Sequence, residues 1–365
     1  MRPTFIEISR QALLDNVAFF RRIATAQTLI AIVKANAYGH GIETVAPILA
    51  PVVDMFGVAY AEEGALLREK GIETPILVLM TPTVGDIEAI IEHNLEVVGC
   101  SLDFVYALSS AAQRHRRRVP VHVYVDTGMH RDGVPHQDVL AFVEECSRLD
   151  GIELKGICTH FARSDDQDCT MTTEQNRRFS SVLAQLESRG YRFPLVHAAN
   201  TAAAIRFPET HYTALRIGIG LYGMAPGVTK APDLCPVLRL RSQVTALRRV
   251  EKGESVGYGT YYFAPRTTTI ATIAIGYGDG YSRMLSGKAE CLIGGKRYPI
   301  VGAICMDECM VDVGDDPIRV GDEVVLIGSQ GHESITISEL ADRMGTIPYE
   351  VTTLLSNRIP RVEVE

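Results

Sequence analysis

Short apolar runs alternate with longer amphipathic stretches over the first part of the chain. The runs lack the regular polar alternation of a half-exposed strand, which is typical of strands buried in a parallel sheet. Eight such runs can be counted, at 28–34, 56–59, 75–80, 95–100, 119–126, 154–161, 195–200 and 214–218. Segments of helical length and amphipathic pattern lie between most of them, for example at 62–70, 84–93, 138–149 and 172–189.

This alternation of strands and helices indicates the α/β class. Consecutive strand–helix–strand units are right-handed, and eight of them close most naturally into a (β/α)8 TIM barrel. We assign the barrel to residues 10–226. An open, doubly wound sheet is the structural alternative.

After about Gly223 the pattern changes to short runs rich in β-branched residues, separated by Gly, Pro and Asp. It predicts a C-terminal all-β domain over 227–365, joined by a Pro- and Gly-rich linker at 225–232. Residues 1–9 are expected to add a strand to it. One late helix is predicted, with Ser338 as its cap and Gly345 at its end. The predicted strands lie at 237–250, 255–262, 268–275, 290–293, 296–301, 308–313 and 323–327.

The charge and composition of the protein argue against some classes of function. The chain has 365 residues, a formal net charge of -8 and a sequence pI near 5.7. An acidic protein is a poor match for nucleic acid or an anionic membrane, and no apolar stretch reaches signal-peptide or membrane-spanning length. We therefore expect a cytoplasmic protein with neither partner. The eight scattered cysteines favour free thiols in a reducing compartment.

Lys34 ends the first apolar run, which is an unusual place for an ammonium group. Burying a charged lysine is unfavourable unless the group is paired or deprotonated. Lys34 therefore either caps a strand in water or stands in a site where losing its proton is useful, as in an imine-forming lysine. Gly39 and Gly41 permit a tight turn, and a helix is predicted to begin at Ile42.

Other polar residues also follow the ends of predicted strands. If residues 10–226 form the predicted barrel, these residues meet at one face, where the active sites of such barrels lie. The glycines after the eighth run fit a turn that holds a phosphate on backbone N–H groups. The residues concerned are Lys34, Asp126 to Arg131, His160, Asn200, Thr201 and Arg216.

The segment around Lys34 resembles the pyridoxal-phosphate attachment motif of the alanine racemase family. It reads Val33-Lys34-Ala35-Asn36-Ala37-Tyr38-Gly39-His40-Gly41. The resemblance extends over essentially the whole chain and implies a pyridoxal 5'-phosphate enzyme that interconverts L-alanine and D-alanine by a two-base mechanism and supplies D-alanine for peptidoglycan. A racemase of serine or another small amino acid is one alternative. A non-catalytic barrel that binds pyridoxal phosphate is another, although the second domain with Tyr258 argues against it. A cofactor-independent racemase with Cys305 and Cys309 as a thiol pair is disfavoured by their apolar neighbours.

The resemblance also implies roles for individual residues. Lys34 and Tyr258 would be the two bases, supported by His160, Arg216 and Asp307. Arg131 and the backbone of Met306 would bind the substrate carboxylate, Tyr281 would narrow the entrance, and no metal is expected. The cofactor would contact Lys34, Tyr38, His160, Asn200, Thr201, Arg216, Gly218, Ile219 and Tyr349.

Two further expectations concern assembly and a departure from the family. The resemblance implies a head-to-tail homodimer in which the barrel of one chain meets Tyr258 of the other. Many family members carry a carbamylated lysine at the position of Tyr124, where its negative charge orients the arginine that corresponds to Arg131. A phenol is neutral near pH 7. We therefore expect a small anion such as chloride, or a nearby carboxylate with Asp132 as the weaker candidate, to hold Arg131.

Overall fold

The computed structural model describes residues 3–231 and 233–365. Met1 and Arg2 of the predicted N-terminal strand, and Pro232 of the predicted linker, lie outside the described residues. The chain divides into two compact units, which we call the barrel unit (Gln11–Ala37 and Val45–Pro236) and the β unit (Met1–Arg10, Tyr38–Thr44 and Val237–Glu365). The division after Pro236 falls later than the predicted boundary at 226/227, and the β unit also takes the turn that follows Lys34.

The barrel unit is a closed parallel barrel. After β1 (Phe5–Ser9), which belongs to the β unit, eight parallel strands in the described part of the chain close through the pairings β5–β6 and β10–β2. The predicted (β/α)8 barrel is confirmed, and the open doubly wound sheet is excluded. The strands are β2 (Thr28–Ile32), β3 (Met55–Val58), β4 (Ile76–Val78), β5 (Glu96–Gly99), β6 (Val119–Asp126), β8 (Ile152–Cys158), β9 (Leu195–His197) and β10 (Ala214–Ile217), with the short β7 (Val134–Pro135) beside β6.

Helices separate the strands as predicted. Ser101 illustrates a local start signal, because its hydroxyl accepts a hydrogen bond from Phe104 N and caps the following helix. Several predicted strands end too late, because the chain leaves the sheet after Ile32, Val78 and His197 although apolar residues continue beyond each of them. The helices are α1 (Arg10–Ile23), α2 (Lys34–Tyr38), α3 (Ile42–Leu49), α4 (Ala61–Glu69), α5 (Ile87–Glu92), α6 (Leu102–Arg114), α7 (Val139–Cys146), α8 (Thr170–Ser188) and α9 (Thr201–Arg206). No helix of the described chain is long and apolar enough to cross a membrane.

The β unit is built on one sheet in the order β17-β16-β13-β14-β15-β12-β11-β1-β18, with an additional β16–β11 pairing. The predicted N-terminal strand is confirmed, because β1 pairs with β11 in the antiparallel sense and places Ile6 opposite Leu240. The strands β17 and β18 were not predicted. The strands after β10 are β11 (Leu238–Val250), β12 (Thr268–Ile273), β13 (Glu290–Ile293), β14 (Lys296–Val301), β15 (Cys309–Gly314), β16 (Glu323–Gln330), β17 (Glu333–Ile335) and β18 (Arg361–Val364).

Two local predictions in the β unit are wrong. Residues 255–262 do not form a strand, because Gly257 (φ 78) and Gly259 (φ 74) turn the backbone into a left-handed region that no sheet ladder accepts. The late helix α10 (Ile337–Met344) is capped by Thr336, whose hydroxyl accepts from Glu339 N at 3.0 Å, so Ser338 lies inside the helix. Its predicted end at a glycine is confirmed, and an unpredicted helix, α11 (Pro348–Thr353), follows.

Candidate active site

Lys34 begins an unusual turn at the end of β2. Ala35, Asn36 and Ala37 have φ values of 52, 53 and 54°, so α2 is a left-handed turn. Left-handed helical backbone is unfavourable by about 1–2 kcal/mol for each L-residue. Strain of this kind persists where the surrounding structure fixes it, and it clusters at functional sites.

The β unit fixes the chain that leaves this turn. Gly39 has φ +81°, and a Cβ there would stand 1.9 Å from the carbonyl oxygen of Thr352, so only glycine fits. Arg361 Nη2 donates to the carbonyl of Gly39 at 2.9 Å. The turn that the sequence predicted at Gly39 is therefore pinned by the C-terminal part of the chain.

Lys34 lies in an environment that favours its neutral form. Burial and then the positive charge of Arg131 lower the pKa of Lys34; Glu63 partly opposes this shift, and Arg216 adds to it. A neutral amine can act as a nucleophile or a base, whereas an ammonium cannot. The structure thus favours the functional interpretation of Lys34 over that of a strand cap.

Arg216, on β10, is buried and held rigidly, with 6% of its surface exposed. Its Nη1 donates to His197 Nδ1 at 2.7 Å and to the carbonyl of His197 at 2.8 Å. Its Nη2 donates to the carbonyls of Thr159 (2.7 Å) and Ala198 (2.9 Å) and to His160 Nδ1 (3.0 Å). Burial and then the charge of Arg216 lower the pKa of His160 well below its ordinary value, so His160 is neutral.

The turn after β10 and the start of α9 form one polar corner. Thr201 Oγ1 accepts hydrogen bonds from Gly218 N at 3.2 Å and Gly220 N at 3.3 Å. Asn200 caps α9 by accepting from Ala203 N at 3.0 Å, so the helix-cap role that its sequence position suggests is real. The structure therefore brings the predicted phosphate residues of the barrel unit together: Asn200, Thr201, Gly218 and Ile219.

The loop that carries Arg131 is organised by Asp126 at the end of β6. The Asp126 carboxylate accepts from Gly128 N at 2.9 Å and His130 N at 3.1 Å, and it lies 2.8 Å from His130 Nδ1. Burial alone would raise the pKa of Asp126, but the hydrogen bonds from His130 and Gly128 outweigh burial and lower it. His130 is thus a structural partner of Asp126.

Arg131 itself is held loosely. Its Nη2 lies 3.5 Å from the Tyr124 hydroxyl, and its Nε lies 3.5 Å from Asp132 Oδ2. Asp132 is positioned in turn by the Thr81 hydroxyl, which donates to its Oδ1 at 3.1 Å. Burial raises the pKa of Tyr124, so its phenol is neutral. A carboxylate is therefore within reach of Arg131, and it is Asp132.

The predicted residues of the β unit lie on turns. Tyr258 is 74% exposed and Met306 is 53% exposed. Asp307 Oδ1 accepts from Arg358 Nη2 at 2.6 Å. The Tyr349 ring lies 5.9 Å from the ring of Tyr38, the predicted phosphate partner that belongs to the same unit.

The structure corrects the predicted role of Tyr281. Its side chain is 2% exposed, with its hydroxyl buried in the β unit, so it does not reach a surface where an entrance opens. Tyr277, in the same glycine-rich segment, is 42% exposed and is the better candidate for that role. The sequence motif contains both tyrosines, and spacing alone did not distinguish the buried one from the exposed one.

The sequence analysis did not predict the three buried polar residues that lead away from Arg216 in the barrel: His197, His122 and Glu96. His197 contacts Arg216 directly, His122 lies 2.8 Å from His197, and Glu96 lies 3.0 Å from His122. A sequence signal existed, because each interrupts or borders an apolar run that was assigned to a buried strand. A single polar residue in such a run does not reveal its partner.

Comparison with known proteins identifies the family. The sequence profile described as "Alanine racemase, N-terminal domain" matches residues 8–226, and that of "Alanine racemase, C-terminal domain" matches residues 237–363. This chain belongs to the alanine racemase family. The resemblance inferred from the attachment motif is therefore confirmed, and the chain is an enzyme of that family.

Individual members of the alanine racemase family match over their full length. The alanine racemase of Symbiobacterium thermophilum is 43% identical, over 99% of this chain and 97% of the relative, and that of Carboxydothermus hydrogenoformans is 38% identical over 100% of both. The structure of alanine racemase from D-cycloserine-producing Streptomyces lavendulae has a TM-score of 0.95 at 30% identity, covering 100% of this chain and 98% of that one. The Bacillus anthracis alanine racemase with bound L-Ala-P has a TM-score of 0.93 at 34% identity, covering 100% and 96%.

Proposed function

We propose that this enzyme interconverts L-alanine and D-alanine with pyridoxal 5'-phosphate as its cofactor, and that it supplies D-alanine for peptidoglycan. The observation that carries the proposal is the gathering of Lys34, Arg131, His160 and Arg216 at or just beyond the carboxyl ends of barrel strands, where the charges of Arg131 and Arg216 lower the pKa values of Lys34 and His160. The full-length match to alanine racemases supports the choice of substrate.

The residues present fit the proposed cofactor. Lys34 has the lowered pKa that attachment to an aldehyde requires. The backbone N–H groups and Thr201 hydroxyl of the corner after β10 suit a phosphate. Tyr38 and Tyr349, which the family resemblance assigns to the phosphate, lie beside each other in the β unit. When bound, pyridoxal phosphate supplies an electron-withdrawing ring that stabilises negative charge at the substrate alpha carbon.

Arg216 would determine how strong that ring is as an electron sink. A guanidinium carries donors only and does not release a proton, so beside a ring nitrogen it would keep that nitrogen unprotonated. The weaker electron sink suits brief removal and return of the alpha proton. The hydrogen bonds from Arg216 to His160 and His197 leave the guanidinium little freedom to move away.

Inversion at the alpha carbon needs a base on each face. Lys34 is assigned to one face, where it removes the alpha proton as a neutral amine and returns it as an ammonium. Tyr258 of a second chain is assigned to the other face. Arg131 holds the substrate carboxylate together with the backbone N–H of Met306 from the second chain, and Tyr277 of that second chain narrows the entrance so that small side chains are preferred.

The exposed surface of the β unit supports the proposed head-to-tail homodimer. Tyr258, Tyr261 and Phe263 are 74%, 73% and 59% exposed, and Met306 is 53% exposed. Exposed apolar groups on one segment mark an interaction surface. In the proposed dimer this surface meets the barrel mouth of the other chain and completes its site.

Mixed dimers test this arrangement. Lys34→Ala and Tyr258→Ala chains are each expected to be inactive, because each lacks one base. Mixed dimers of the two should regain about one working site per dimer, since one mouth then holds both an intact lysine and an intact tyrosine. If mixing restores no activity while the mixed dimers form, shared sites are excluded.

A chiral assay tests the reaction. Purified enzyme is incubated separately with L-alanine and with D-alanine, and both enantiomers are measured over time, with Lys34→Ala as the control. Conversion in both directions to an equal mixture is expected, because the two enantiomers have the same free energy. Faster conversion of serine would change the substrate assignment, and a visible cofactor band with no conversion of any small amino acid would identify a non-catalytic binding protein.

A further inference from the structure

A chain of hydrogen bonds runs through the interior of the barrel and ends on Arg216. Glu96 Oε2 lies 3.0 Å from His122 Nε2, His122 Nδ1 lies 2.8 Å from His197 Nε2, and His197 Nδ1 lies 2.7 Å from Arg216 Nη1. Lys155 Nζ donates to the other oxygen of Glu96. The exposed fractions of Glu96, His122 and His197 are 5%, 0% and 0%. Four strands, β5, β6, β9 and β10, contribute one member each.

The barrel makes room for this chain. A Cβ at Gly156 would stand 2.2 Å from His122 Nδ1, so the imidazole occupies space that any other residue on β8 would fill. Hydrophobic residues would fill this interior at less desolvation penalty than two imidazoles and a carboxylate. The polar groups therefore require a reason other than packing.

The chemistry of the donors fixes the direction in which each hydrogen bond of this series is donated. A guanidinium has no acceptor, so His197 Nδ1 must accept from Arg216, and the His197 proton then lies on Nε2. That proton can only be donated to His122 Nδ1, which places the His122 proton on Nε2, facing Glu96. Both imidazoles are neutral in this arrangement. Burial lowers the pKa of His122 and lowers that of His197 well below the ordinary value, which agrees with it.

One end of this hydrogen-bond chain is the Arg216 cation, and the other is the Glu96 carboxylate, which is paired with Lys155. Among the described residues, no carboxylate lies within 4.0 Å of the Arg216 guanidinium; its hydrogen bonds go to carbonyls and imidazoles. A buried guanidinium without a counter-charge is strongly unfavourable. Burial alone would raise the pKa of Glu96, but the hydrogen bonds from His122 and Lys155 outweigh burial and lower it, so Glu96 is ionised.

We propose that Glu96 is a positioning residue for catalysis, which acts on Arg216 through the fixed tautomers of His122 and His197. Its carboxylate pulls on the His122 proton, which makes each imidazole nitrogen further along a better acceptor and fixes the guanidinium in place. The catalytic consequence rests on the proposed function, because it concerns the ring contact of Arg216. The direction in which the hydrogen bonds from Arg216 to Glu96 are donated does not depend on the reaction.

The test is a long-range proton–nitrogen correlation spectrum of the full-length enzyme labelled with 15N-histidine, compared with the spectrum of Glu96→Gln. In the unmodified enzyme, His122 and His197 should both be neutral with the proton on Nε2. In Glu96→Gln, the Nε2 proton resonances of both imidazoles should move upfield, because the amide is a weaker acceptor than a carboxylate. The kcat for alanine should fall about tenfold, as when the hydrogen-bond partner of a metal-binding histidine is removed, with KM nearly unchanged because Glu96 does not touch substrate.

Two further variants extend the test, one with the opposite expected shift and one as a matched control. Lys155→Met removes the ammonium from Glu96 at a partly exposed position, so the His122 proton should move in the opposite direction, downfield. Asp312→Asn is the matched control: it removes a buried carboxylate of the β unit that accepts from Tyr262 and Thr268, and it should leave both imidazole resonances and kcat unchanged.

Several results would overturn the proposal. A proton on Nδ1 of either imidazole in the unmodified enzyme would reverse the chain, and this measurement decides even if Glu96→Gln does not fold. A shift confined to His122 would show that the charge does not reach His197. Shifts in both imidazoles with kcat no lower than in Asp312→Asn would remove the positioning role. An enzyme that lacks alanine turnover altogether would refute the proposed function while leaving the spectral result to be judged separately.

Discussion

Two arginines belong to the same barrel unit and are held in opposite ways. Arg216 is 6% exposed, and five hydrogen bonds at 2.7–3.0 Å fix its two terminal nitrogens. Arg131 has 44% of its side chain exposed, and its two side-chain contacts, to Tyr124 and Asp132, are both 3.5 Å long. One guanidinium is part of the core, and the other stands on a loop.

The difference matches the work proposed for each residue. A group that sets the electronic state of a cofactor ring must stay in one place throughout turnover, so burial and many acceptors serve it. A group that binds and releases a substrate carboxylate must be able to reach solvent and to change partners. On the proposed roles, the buried arginine of the core sets the type of reaction, whereas the exposed arginine of the loop sets the affinity for substrate.

The largest expected effect is that of Arg216→Lys. An ammonium group cannot reproduce a planar fork with acceptors on both terminal nitrogens, so several buried acceptors lose their donor. We expect kcat to fall about 1,000-fold and the free energy of unfolding to fall by about 2–4 kcal/mol. Kinetics and urea unfolding measure the two quantities.

The control for Arg216→Lys is Arg68→Lys. Arg68 also donates to several backbone carbonyls, including those of Ile72 and Thr74, but it lies outside the candidate site. The control should lose stability and keep its kcat. Equal kcat in the two variants would show that Arg216 is only a structural residue.

Arg131→Lys should act on substrate affinity. A lysine retains the charge but loses the bidentate fork, so we expect KM for alanine to rise about 30-fold. Unfolding free energy should stay within about 0.5 kcal/mol, because the side chain is half-exposed and its contacts are long. Arg148→Lys, an exposed arginine paired with Glu145, is the control. A fall in kcat at constant KM would contradict the division of roles between the two arginines.

The two regions should also differ in their response to pH. His122, His160 and His197 have pKa values lowered mainly by burial, so the unfolded chain binds more protons than the folded chain below the ordinary histidine pKa of about 6.5. Stability should therefore fall as the pH drops, by about 4 kcal/mol between about pH 8 and about pH 5.5. Urea unfolding at both pH values measures this fall.

Asp126, in the Arg131 loop, gives the contrasting case. Its folded pKa is lowered, so its stabilisation is present above its unfolded pKa of about 3.9 and is lost only as the pH falls through the lower folded value. Asp126→Asn should consequently show the same drop between about pH 8 and about pH 5.5 as the unmodified enzyme. Stability independent of pH over this range would mean that the core imidazoles are not held neutral.

The smallest effect is expected from Asp132→Asn. Loss of the carboxylate leaves Arg131 less well oriented, and KM for alanine should rise about threefold with kcat retained. Bicarbonate should have no effect on activity, because Tyr124 cannot form a lysine carbamate. Thr81→Val, which removes the hydroxyl that positions Asp132, should produce a weaker change in the same direction. If chloride rather than Asp132 holds Arg131, activity will depend on the halide concentration, and Asp132→Asn will leave KM for alanine unchanged.

The sequence by itself determined the fold class and most of the candidate site. The apolar runs are long enough to mark eight strands, and β6, β13 and β14 coincide with their predicted bounds because apolar positions and turn residues agree there. The motif around Lys34 and the polar residues at strand ends gave the chemistry, since barrel topology places the ends of all the strands at one face.

Only the tertiary structure decided which tyrosine is buried, which group accompanies Arg131 and what stands behind Arg216. Tyr277 and Tyr281 share one motif, and their exposure depends on packing within the β unit. Glu96 and His122 are 26 positions apart, and His122 and His197 are 75 positions apart. A hydrogen bond is set by distance and direction in space, so such partners are identified only when the barrel closes and brings their strands together.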